Sequence, residues 1–210
     1  MKLKNYIDLY FRGKSQKYNM DDIIHELPEN DIIAKDILNK LGNSKTKLVY
    51  DKDIKGSYYV FLNDTIYIAK NSKSSKEYSR LTLIAHECVH SIQSKVMQVL
   101  NFGFANLEIF MFFIFVIMLV ITKSNNINQY VKIMYNIIAI LSVIIRSILE
   151  IHASLQSIVI TKGYINKYLG ANKASYSYKV ISFQVRALLP YLLISIFFWK
   201  IVRMVLVNVI

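Results

Sequence analysis

An α+β fold, mostly α, is expected here: a small N-terminal domain with a short β-hairpin or sheet and a motif-bearing helix, then a transmembrane helical hairpin and a further C-terminal membrane helix. Three features carry this expectation. Residues 58–69 hold two β-rich runs around Asn63-Asp64, a two-residue hairpin turn. His86-Glu87-Cys88-Val89-His90 sits in a helical apolar pattern, and two long apolar stretches follow it. Hydrophobic residues make up 54% of the chain and its mean hydropathy is +0.32, high enough that membrane spans must be sought before a fold is assigned.

Taken in order, residues 32–41 (IIAKDILNKL) have helical periodicity and end at Gly42, a suitable C-cap. A short strand is expected at 47–50, and strands at 58–62 and 65–69. The Ser/Lys-rich stretch 70–76 reads as a loop, and one helix is expected from 79 to 100. Residues 102–122 are almost continuously apolar, with Glu108 expected at the interface. At about 1.5 Å per residue, some 20 helical residues cross a hydrocarbon core of about 30 Å. The polar loop 123–129 leads to a second span at 131–149, where Arg146 can snorkel. A third apolar stretch, 187–210, contains Pro190, Trp199, Lys200 and Arg203, and both a span and an interfacial helix are compatible with it. No internal repeat is evident. The expected domains are 1–100, a soluble half-domain with the motif helix; 101–149, the hairpin; 150–186, a membrane-proximal helical segment; and 187–210, the last membrane helix.

The pentapeptide has the spacing of a helical metal site. Side chains at i and i+4 project from one helix face, so His86 and His90 can offer two imidazole nitrogens to one tetrahedral Zn²⁺. Glu87 lies too far round the helix to join them as a ligand, yet within reach of a water, where a general base is needed. A histidine on a helix is ordinarily a core or surface residue. Here only four histidines occur in 210 residues, and two of them flank a Glu at ligand spacing. Leu81, Leu83, Ile84, Ala85, Val89, Ile92 and Val96 continue an apolar stripe through the motif. Buried His, Glu and His would be costly unless something paired them. Cys88, two residues past His86, points to a different face and reads as a small packed residue.

Two ligands and a base need a third ligand. Two spans joined by a short loop return the chain to the side it left, which places Glu150 in the compartment of His86 and His90. Pairing with Arg146, one turn earlier, is the structural alternative for Glu150. Glu108 is a rival ligand, set back by the lipid-facing character of its helix, and His152 is another.

The formal charge of +12 accompanies a general richness in Lys, Asn and Ile. All 14 acidic residues lie at or before Glu150, whereas Lys162, Lys167, Lys173, Lys179, Arg186, Lys200 and Arg203 follow it unopposed. A basic stretch beside apolar segments suits an anionic cytoplasmic leaflet, and no nucleic-acid-binding module accompanies the charge. The single cysteine excludes an internal disulfide. Residues 1–17 lack the apolar core of a signal peptide, so the N-terminal domain and residues 150–186 are expected in the cytoplasm and the 123–129 loop outside. Lys123 and Lys132, near that loop, do not outnumber the cytoplasmic set.

Leu83-Ile84-Ala85-His86-Glu87-Cys88-Val89-His90-Ser91-Ile92-Gln93 resembles the AAHEVGHAIQ segment of the neutral zinc metallopeptidases of bacterial membranes, the YugP-like family. Leu149-Glu150-Ile151-His152-Ala153-Ser154 is similar to that family's VEFDAS or VEFNAS segment, which also follows membrane spans. The resemblance covers residues 28–205, and these two segments carry nearly all of it. It implies a zincin-like, zinc-dependent peptidase integral to the bacterial cell membrane, with Glu150 completing a two-His, one-Glu site; the charge distribution and the missing signal put its expected catalytic side in the cytoplasm. Three departures stand out: Val89 replaces the motif's usual Gly, His152 replaces an acidic or amide residue, and the family's N-terminal membrane helix is missing.

The expected chemistry is peptide hydrolysis on a peptide or membrane-protein substrate, with His86, His90 and Glu150 holding Zn²⁺, Glu87 as general base, and a strand of the 58–69 hairpin holding the substrate. A non-catalytic membrane-anchored scaffold or degenerate peptidase is the chief competitor. A transport component would need more spans and a more ionisable lining. The sequence assigns no oligomeric state.

Overall fold

The computed structural model describes residues 27–51, 54, 57–69, 79–122 and 129–209. Residues 1–17, the 70–76 stretch and residues 123–128 of the polar loop lie outside them. Among the described residues the protein is mostly helical, with a three-stranded sheet and five helices. Helix α1 spans Asn30–Lys40, β1 Lys47–Asp51, β2 Tyr58–Val60, β3 Thr65–Ala69, α2 Ser79–Ile92, α3 Lys95–Thr122, α4 Gln129–Tyr168 and α5 Ala171–Val209. Three of these, α3, α4 and α5, are long and apolar enough to cross a membrane, so 187–210 belongs to a helix of spanning length.

The chain divides into two compact units. One comprises 1–92 with 153–188, the other 93–152 with 189–210.

In the first unit, α1 ends on Leu41, and Gly42 takes the left-handed conformation (φ +70°) that closes the turn. Asn43 N–H donates back to Leu38 O at 2.9 Å, satisfying a carbonyl the helix end would leave bare. The sheet order is β1-β3-β2, with β1 parallel and β2 antiparallel to β3. Central β3 buries Ile66 and Ile68, two residues apart on one face, while Tyr67 on the other stacks on Tyr58 at 5.0 Å. The turn differs from the expected two-residue form. Val60 pairs with Thr65, so four residues, 61–64, make the connection and β2 stops at Val60. Asp64 (φ 49°) adopts the left-handed backbone there, and its carboxylate accepts hydrogen bonds from the hydroxyls of Thr46 (3.1 Å) and Tyr59 (2.8 Å). Those side-chain bonds hold the wider turn.

Helix α2 lays Leu81, Ile84, Ala85 and Cys88 against Ile33, Ala34 and Ile37 of α1 and the β3 isoleucines, joined by Ile165 of α4 and Ile181 of α5. Leu83, Ile92 and Val96 of the expected apolar stripe are exposed. At 100° per residue Leu83 falls on the opposite face from Leu81, and Ile92 and Val96 lie at and beyond the helix end. The single helix expected over 79–100 is broken at Gln93-Ser94: α2 stops at Ile92 and a new helix starts at Lys95. Gln93 spends its side-chain amide elsewhere, donating from Nε2 to Leu149 O at 2.7 Å.

In the second unit, Phe115, Tyr135, Ala139 and Val207 form a small core. Glu108, expected at the interface, lies mid-way along α3 and is fully buried within the protein. Its carboxylate accepts from Arg203 Nε and Nη2 (both 2.8 Å) and from the Tyr135 hydroxyl (2.7 Å), with Lys200 Nζ 3.5 Å away. The apolar stretch expected as a span at 131–149 lies within a longer helix. No Gly or Pro interrupts α4 between Gln129 and Ala153, and the helix runs unbroken to Tyr168.

Candidate metal centre

The α2 helix has two unlike faces. Cys88 shares the core face with Leu81; its Sγ lies 3.9 Å from Ala34 O, and burial pushes its thiol pKa well up, so it is a packed residue without thiolate character. His86 and His90 lie on the other face and are half-buried. Their Nε2 atoms are 3.0 Å apart, with the rings edge to face at 4.6 Å. Two nitrogens bound to one tetrahedral Zn²⁺ at about 2.0–2.1 Å would stand about 3.3 Å apart, so the pair is close to chelating geometry.

The other ring nitrogen of His86 is also accounted for. Ser154 Oγ lies 3.5 Å from Nδ1; in the tautomer protonated at Nδ1 the ring donates to this hydroxyl and presents the Nε2 lone pair to a metal. Ser154 is nearly buried on α4, one helical turn after Glu150 and on the same face. One donor atom from each of His86, His90 and Glu150 lies within 4.8 Å of the other two, a group that could hold a metal ion. Two imidazoles and a carboxylate are the donor set of hydrolytic zinc sites, and the same set serves non-haem Fe(II). The residues therefore fit a divalent metal with open positions.

Neither rival ligand belongs to that group. Glu108 is committed to Arg203, Tyr135 and Lys200. His152 Nδ1 is 3.1 Å from Gln93 Nε2, so it meets the amide that also caps Leu149 O. Glu150 does meet its structural alternative: Arg146 Nη2 lies 2.6 Å from Oε1, with the Glu150 side chain only 4% exposed.

Glu87 projects toward the sheet, where the Tyr59 backbone N–H donates to Oε2 at 2.8 Å. Edge strand β2 thus fixes the carboxylate next to the histidine pair. The Tyr59 hydroxyl is held in turn by Asp64, and burial together with that carboxylate raises the phenol's pKa, so it stays protonated as a donor. Asn43 ties the end of α2 to the same network, donating to Ser91 Oγ at 2.9 Å and Thr46 Oγ1 at 2.7 Å.

Comparisons with protein-family models, with curated proteins and with solved structures gave no match.

Sequence reasoning overlooks Ser154, Gln93, Asp64 and the Tyr59 amide. Helical spacing can find the first, since Ser154 follows Glu150 by four residues; the β2 amide requires the fold. Ser154→Ala is expected to weaken zinc binding about tenfold, the low end for partners that orient a ligating histidine. Chelator competition measures it, and unchanged affinity would mean that the hydroxyl does not set the ring.

Proposed function

We propose that this protein is a membrane-bound zinc metallopeptidase that hydrolyses peptide bonds at the cytoplasmic membrane surface. The observation carrying the proposal is the convergence of His86, His90 and Glu150, with a Glu87 carboxylate held by an edge strand. The resemblance of the 83–93 and 149–154 segments to the YugP-like neutral zinc peptidases supports it, as do three helices of spanning length.

His86, His90 and Glu150 would hold Zn²⁺, which when bound supplies a Lewis acid that acidifies water and polarises a carbonyl. Glu87 takes the proton of the attacking water and passes it to the leaving amine. The Tyr59 N–H steadies Glu87 through Oε2. Strand β2 is an edge of the described sheet, and because its outward Tyr59 N–H is given to Glu87, an extended peptide added there would pair with the carbonyl side of β2. Of the seven cations beyond Glu150, Lys200 and Arg203 serve buried Glu108 and Lys167 pairs with Asp36, so Lys162, Lys173, Lys179 and Arg186 are the ones that favour an anionic cytoplasmic leaflet.

A second reading, a membrane-anchored scaffold that binds without cleaving, draws on the Arg146–Glu150 ion pair, which satisfies the carboxylate without any metal. Elemental analysis of the purified protein separates the two. About one zinc per chain is expected, lost in Glu150→Gln and kept in Glu108→Gln and His152→Ala. Protein that stays metal-free after zinc addition defeats the peptidase reading, and iron in place of zinc redirects it.

A further inference from the structure

The Arg146–Glu150 pair has a consequence for the metal centre itself. We infer that Arg146 is the resident counter-ion of Glu150, a built-in competitor for that carboxylate which sets how tightly the centre holds a divalent metal. This rests on the reading of His86, His90 and Glu150 as one centre.

Three observations carry it. Glu150 is buried, and a buried carboxylate is costly unless a cation pairs with it. Arg146 supplies that cation at 2.6 Å from the preceding turn of the same helix, so the partner is always within reach. Arg146 is also 42% exposed at the protein's surface, so its long side chain can swing off Glu150 and snorkel, which a fully buried cation could not do. A divalent ion arriving at Glu150 must therefore displace, or share the carboxylate with, a guanidinium.

Competition and orientation by Arg146 predict opposite signs. If Arg146 merely orients Glu150, removing it weakens metal binding. If it competes, removal tightens binding while making the metal-free protein less stable, because the buried carboxylate then loses the guanidinium. The full chain in detergent micelles is titrated with zinc against a chelator of known affinity, and its thermal midpoint is followed with and without zinc. Arg146→Gln is expected to bind zinc about tenfold more tightly, the scale of one charge-assisted hydrogen bond surrendered. Its metal-free midpoint falls and its zinc-induced rise grows relative to wild type. Arg146→Lys keeps the charge but loses the planar fork, and should tighten binding about two- to threefold; it decides the matter if Arg146→Gln does not fold. Equal or weaker zinc binding in these variants overturns the inference and leaves the centre standing. A wild-type protein that takes up no zinc overturns the centre, and the inference with it.

Discussion

Glu87→Gln should abolish cleavage, by on the order of a thousandfold, while the protein keeps its zinc. The substitution removes one capacity only. Glutamine has nearly the shape of glutamate, and its amide oxygen can still accept the Tyr59 N–H, so the tie between α2 and β2 survives. The core face of the helix is untouched, since Leu81, Ile84, Ala85 and Cys88 point the other way. An amide cannot take a proton from water, and that is the lost step. Glu87 lies outside the group formed by His86, His90 and Glu150, so metal content should not change. The assay pairs hydrolysis of an unstructured polypeptide tethered in the same micelles with zinc per chain. Undiminished cleavage would remove Glu87 as the base. Loss of zinc would make it a ligand and require a different centre.

Much of this centre is legible in the sequence because a helix converts spacing into direction. His86 and His90 need only the 3.6-residue turn to be placed on one face, and Cys88 to be placed on another. The same arithmetic links Glu150 to Arg146 and Ser154 along α4. What it cannot supply is the partner across space. Glu108 reads as interfacial because its own helix is apolar all round, and the cations that bury it, Arg203 and Lys200, lie more than 90 residues away. The break at Gln93-Ser94 escapes the sequence for a similar reason. Neither residue is a strong helix breaker, and the buried amide bond from Gln93 to Leu149 O is a tertiary interaction. The apolar run over 131–149 stops at Leu149, whereas the backbone has no cause to stop there. Helix α4 simply passes from an apolar surrounding to one in which Ser154, Ser157 and Thr161 are buried among protein.

Glu108→Ala should cost the protein about 3–5 kcal/mol, the range for removing one partner of a buried ion pair. The carboxylate is fully buried and answers three donors at once: both Arg203 contacts form a fork, and Tyr135 closes on Oε1. Alanine leaves Arg203 and Lys200, 22% and 12% exposed, facing each other without an anion. In a soluble protein water could fill part of the gap. Between helices of membrane-spanning length it is scarce, and unpaired charge there is correspondingly expensive. The Phe112 ring, with the guanidinium 5.9 Å from its centroid, offers Arg203 only weak compensation. A fall in thermal midpoint on the order of 10 °C is expected for a chain of this size. Glu108→Ala/Arg203→Met should recover part of it, because one of the two stranded cations is gone. Zinc per folded chain should remain that of wild type in both variants. A midpoint within about 1 °C of wild type for Glu108→Ala would mean that the three helices do not depend on this charge cluster. Zinc loss in protein that remains folded would return Glu108 to the set of ligands and displace Glu150 from it.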